Sequence, residues 1–90
     1  MIKDWGQTDK TVTFQCRMAN IALKKIDIQI FDLVVKLNIR ERREVLLIDL
    51  YDKVDVAKLS HSARLQNNKL KITLKKLVPE EWPHLHPKGL

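Results

Sequence analysis

From Thr11 to Leu77 the chain contains neither glycine nor proline, and its apolar residues recur at every second position. Val12, Phe14, Cys16 and Met18 alternate with Thr11, Thr13, Gln15 and Arg17. Ile26, Ile28 and Ile30 alternate with Lys25, Asp27 and Gln29, and Leu33, Val35, Leu37 and Ile39 with Val34, Lys36 and Asn38. Leu70, Ile72 and Leu74 alternate with Lys71, Thr73 and Lys75. Period two sends one set of side chains to a core and the other to solvent, as in a half-buried β-strand. A helical stripe would draw Lys25 or Lys71 inside, and the segments are rich in β-branched residues. Val45 to Tyr51 is apolar on both faces and reads as a central strand. Ser62 to Gln66 reads as one more, joined to the late strand by Asn67-Asn68, because Asn tolerates the positive φ of a tight turn.

At least six closely spaced strands with short polar connectors such as Arg40 to Glu44 imply an all-β antiparallel sandwich or barrel. Parallel pairing needs long crossovers, for which 90 residues leave no room. The length allows one domain that buries roughly 60–65 % of its unfolded surface. The three prolines, Pro79, Pro83 and Pro87, mark the exit from it. One cysteine excludes an intramolecular disulfide framework and a multi-cysteine zinc site. No apolar run approaches a membrane span, and the opening residues show no secretory h-region. The expected class is a soluble, single-domain protein of a reducing compartment.

Residues capable of chemistry are sparse. His84-x-His86 with a distant His61 falls short of a four-ligand zinc site, and tail histidines in solvent are the preferred assignment. Cys16 shares the apolar side of its strand with Phe14 and Met18, where a thiol acts as a small hydrophobe. Asp49 interrupts an apolar strand and is the one carboxylate with a hint of burial. The acids do not converge, and with no interior glycine there is no phosphate loop. No enzyme, metal or cofactor is expected. The compositional signal is basic, 17 Lys plus Arg against 11 Asp plus Glu, a net charge of +6. Lys71 and Lys75 alternate on one strand, with Lys69 and Lys76 at its ends, and no aromatics are interleaved for stacking on bases. Outward lysines also guard strands against edge association. A solvated face ranks first, an acidic protein partner second and nucleic acid third.

Two segments together resemble a known family. Asp4-Trp5-Gly6-Gln7-Thr8-Asp9-Lys10-Thr11-Val12-Thr13 is similar to the opening of the CS domain. Leu50-Tyr51-Asp52-Lys53-Val54-Asp55, Ser60, Lys69 to Lys76 and Glu81-Trp82-Pro83-His84-Leu85 resemble its closing half. The match runs in order from residue 4 to 85, with 86–90 starting a linker or tail. The resemblance implies a compact antiparallel β-sandwich of about seven strands, like small heat-shock proteins. It also implies a non-enzymatic, cytoplasmic, monomeric module that binds heat-shock protein 90 or client proteins as co-chaperone or assembly adapter. CHORD-containing, SGT and NudC-type proteins share it. With Met1 as the native start the chain resembles axonemal dynein assembly factors; otherwise a NudC-like, SGT or multidomain reductase parent remains open.

Trp5 and Trp82 bracket the domain and are each large enough to cover an open end of a small sandwich, with Pro83 stopping extension of the sheet. The chaperone-binding patch of the SGT branch falls by position on Gly6, Arg17 and Lys76, of which only the lysine is kept in kind. The expected partner-binding residues are Arg17, Lys71, Lys75 and Lys76. The alternatives are a nucleic-acid-binding basic β domain and an accessory domain of a larger enzyme.

Overall fold

The computed structural model describes residues 2–87, with side chains from Asp4 onward. Seven strands follow one another: β1 Ile2–Gln7, β2 Thr11–Arg17, β3 Ile26–Ile30, β4 Val34–Ile39, β5 Glu44–Asp49, β6 His61–Gln66 and β7 Lys69–Lys75. Three single-turn 3-10 helices, Leu23–Lys25, Arg40–Arg42 and Lys58–Ser60, serve as connectors. The strands form two antiparallel sheets, ordered β1-β2-β7-β6 and β3-β4-β5. The all-β antiparallel fold expected from the alternation is present, and of the sandwich and barrel it left open the two sheets make the sandwich that the resemblance implied.

Each sheet contributes one apolar face. Val12, Phe14, Cys16, Leu70, Ile72 and Leu74 from the larger sheet join Ile26, Val35, Leu37, Ile39 and Ile48 from the smaller in a single buried cluster. Burial alternates along β2 and β7 as the sequence does. At Asn67 and Asn68 the backbone takes φ of 52° and 61°. Two consecutive left-handed residues make the tight hairpin turn whose twist matches the flanking strands. The turn sets the β6–β7 register, Gln66 opposite Lys69 and Arg64 opposite Lys71.

Three elements differ from the sequence-based expectations. β1 was not anticipated, because Asp4-Trp5-Gly6-Gln7 carries no alternation and its pairing with β2 is irregular between Ile2 and Asp4. β5 is an edge strand, not a central one. Its apolar outward residues Val45 and Leu47 are 52 % and 61 % exposed, and Asp49 beside them is exposed as well. His86 is not free in solvent: its Nδ1 lies 2.8 Å from the Asp49 carbonyl oxygen, while the Tyr51 N–H donates to the Leu85 carbonyl. The last described residues thus pack beside the end of β5. The expected tail lies outside the described residues from residue 88 on.

Candidate functional site

Register determines which charges share the outward face of the larger sheet. On β2 and β7 the outward residues are Thr11, Thr13, Gln15 and Arg17, and Lys69, Lys71, Thr73 and Lys75. β6 adds Ser62, Arg64 and Gln66, and β1 adds Asp4 and Gly6. Reading across the strands, one row is Asp4–Gln15–Lys71–Arg64 and the next is Arg17–Lys69–Gln66. Five cations, Arg17, Arg64, Lys69, Lys71 and Lys75, therefore stand on one face, all of them exposed. Among the described residues Asp4, at the β1 edge, is the only acid on these strands that shares it. The ion pairs among the described residues lie elsewhere, Lys25–Glu41 at 3.2 Å and Arg40–Asp27 at 2.7 Å. A shallow, open groove of about 240 Å³ runs along this face between Gln15, Arg64, Gln66, Asn67, Lys69 and Lys71.

Of the expected partner-binding residues, Arg17, Lys71 and Lys75 lie on this face. Lys75 differs from the other two in having an acid nearby. Asp55 donates its backbone N–H to the Lys75 carbonyl. The Asp55 carboxyl is held below the usual aspartate range, first by the Ala57 N–H, then by the Ser60 side chain and the Lys75 charge. Arg64 and Lys69 complete the face. Their signal in the sequence is positional: Arg64 alternates with Ser62 and Gln66, but only the register shows which residues it faces.

Lys76 is elsewhere, and the expectation that it meets a partner is corrected. It is 3 % exposed. Its Nζ donates to Gln7 Oε1 at 2.6 Å, to the Thr8 carbonyl at 2.7 Å and to the Glu80 carbonyl at 2.7 Å. An ammonium has three protons, and all three are committed inside the domain. Nζ also sits 5.7 Å from the centroid of the Trp82 ring. Lys76 directly follows β7, and the strand alternation turns its side chain inward after the outward Lys75. Gly6 and Arg17 both face outward but lie opposite Thr13 and Lys69 on different rows. The three positions of the SGT-type patch are thus not assembled on one surface.

The bracketing aromatics occupy unequal environments. Trp82 is 2 % exposed and belongs to the core, whereas Trp5 turns inward opposite Phe14 and remains 37 % exposed. Tyr51 packs against Trp82 and His84, with ring centroids 6.1 Å and 6.3 Å away. Pro83 is exposed and lies well past the end of β7. Cys16 is buried, and that burial pushes its thiol above its ordinary value. A nucleophilic role would require the opposite shift.

The chain is a two-sheet sandwich with a cationic face on its larger sheet. A family model for the CS domain matches residues 2–76, and the chain belongs to that family. CS domains are non-catalytic protein-interaction modules found in co-chaperones. Solved structures agree on the fold. The nuclear movement protein of E. cuniculi GB-M1 superposes with a TM-score of 0.71 at 18 % identity, over 92 % of this chain and 95 % of that one. The CS-b5R domains of human Ncb5or give 0.72 at 25 % identity, over 96 % of this chain but 25 % of that one. The CS1 domain of USP19 gives 0.55 at 22 % identity, with 94 % of each chain covered. No curated protein matches the chain at a significant level. No helix among the described residues is long and apolar enough to cross a membrane.

Proposed function

We propose that the chain is a non-enzymatic co-chaperone or assembly adapter. Its larger sheet docks on an acidic surface of a heat-shock protein 90-type chaperone, or of a client, through Arg17, Lys71 and Lys75 with Arg64 and Lys69. The observation that carries this reading is a sheet face with five exposed cations and, among the described residues of its strands, one edge acid, Asp4. That face lies apart from the chain's ion-paired acids, which are on the other sheet and its connectors. Such a face steers encounter and sets orientation more than it adds affinity. Its outward rows hold no aromatic among the described residues, so the stacking platform of a single-strand nucleic-acid binder is missing from it.

The test is an NMR titration of the chain with the isolated chaperone at low salt. Amide shifts confined to β2, β6 and β7 are expected, fading as salt rises. No shifted resonance on any face at high concentration overturns direct chaperone binding. A parallel titration with RNA is expected to give negligible shifts.

A second reading, an accessory domain in a longer enzyme, is favoured by the likeness to human Ncb5or, where a CS domain is joined to a b5R domain. The coding sequence beyond Leu90 tests it.

A further inference from the structure

The cationic face is not uniform. At the end nearest the β6–β7 turn, like charges stand directly opposite each other twice: Arg64 across from Lys71, and Arg17 across from Lys69. Directly opposed like charges destabilise a sheet. Side-chain amides, Gln15 and Gln66, occupy the third place in each row, so nothing within the rows' centre neutralises them. Asp4 is two strands away from Lys71, at the β1 edge. At the other end of the face, the Asp55 N–H on the Lys75 carbonyl brings an acidic residue beside Lys75. The unbalanced charge is therefore concentrated on four side chains, of which Arg64, Lys69 and Lys71 line the open groove.

Resting on the docking reading above, we infer that this end of the sheet recognises an extended acidic segment of the partner protein whose carboxylates recur at every second residue. The two like-charged pairs are two residues apart along β7, at Lys69 and Lys71, which corresponds to about 6.8 Å along a strand. An extended peptide repeats its side chains on one side with the same spacing. Because one pair spans β7 and β6 and the other spans β7 and β2, their midpoints are also offset sideways by about 4.8 Å, one strand spacing. A segment crossing β7 obliquely, with acids at positions i and i+2, sets one carboxylate near Arg64 and Lys71 and the other near Arg17 and Lys69. Adjacent acids cannot do this, because an extended chain points them to opposite sides.

The experiment compares two labelled ten-residue peptides of identical composition, one with its two Asp residues at i and i+2 and one with them adjacent. Each is titrated by fluorescence anisotropy at low salt into the whole chain. The alternating peptide is expected to bind about fivefold tighter, the equivalent of one further exposed charge pair. Charge reversal by Lys71→Glu is expected to abolish this preference, while circular dichroism confirms that the variant is folded. Equal affinity for the two peptides overturns the spacing inference and leaves the docking face standing. Failure of both peptides to bind overturns the docking face as well.

Discussion

Lys76 and Gln7, at opposite ends of the chain, are joined at 2.6 Å in one buried knot: the Gln7 Oε1 that accepts from Lys76 also accepts the Trp82 backbone N–H at 2.8 Å. Gln7 Nε2 in turn donates to the Trp82 carbonyl at 2.7 Å. One glutamine thus holds both backbone polar groups of Trp82, and one lysine ties β1, the β1–β2 turn and the segment after β7 together.

Removing the lysine leaves the Thr8 and Glu80 carbonyls without their charged donor. Lys76→Met keeps the aliphatic stem and is expected to cost about 2–4 kcal/mol of stability. Urea denaturation checks this. Gln7→Ala is expected to couple with it by about 1 kcal/mol or more in a double-mutant cycle, because the two share an oxygen. Arginine at position 76 should not rescue, since a planar fork cannot reproduce three donors radiating from one nitrogen.

Lys71→Glu turns a repulsive cross-strand pair with Arg64 into an attractive one. Stability is expected to rise by about 0.5–1 kcal/mol, while affinity for an acidic partner falls. Thermal melts check the first effect, and the gain should shrink in high salt. Opposite signs for stability and binding would mark these charges as retained for contact and not for folding.

Leu47 and Ile48 are sequence neighbours with opposite fates on edge strand β5, the first 61 % exposed and the second buried. Ile48→Ala is expected to cost about 2–5 kcal/mol by leaving a cavity in the core. Leu47→Ala should stay within about 0.5 kcal/mol. Chemical denaturation of both variants measures the contrast.

Asp55 predicts part of the acid limb of stability. Its carboxyl is lowered in the folded state, chiefly by the Ala57 N–H. A group with a depressed folded pKa contributes stability above its unfolded value of about 3.9, and that contribution is lost as pH falls through the folded pKa. Asp55→Asn is expected to flatten the loss of melting temperature below about pH 4, with little change in shape above pH 5.

Much of the fold was legible in the sequence. The alternation from Val12 to Met18 and from Leu70 to Leu74 identified strands and their buried sides, because inside and outside of a pleated strand differ by one residue. Asn67-Asn68 marked the hairpin, because few residues other than glycine accept two left-handed conformations in succession. β1 stayed hidden, since a strand containing Gly6 and Asp4 takes its place from pairing with β2 and not from its own pattern. The same limit applied to β5. Apolar residues on both faces resemble a central strand, yet strand order is a property of the assembled sheet, and this one lies at an edge.

For the candidate site, the sequence alone determined that lysines and arginines alternate with core residues, and hence that they face outward on strands. It also carried the ordered pieces of the CS pattern. Only the tertiary structure decided which of these charges meet. Cross-strand register brought Arg17 to Lys69 and Arg64 to Lys71, pairs separated by many residues in the chain. It also removed Lys76 from the surface, because the chain's two ends converge there and supply three oxygens to one buried ammonium. Alternation is a local consequence of pleating, whereas opposition across strands and the satisfaction of a buried charge depend on distant segments closing on one another.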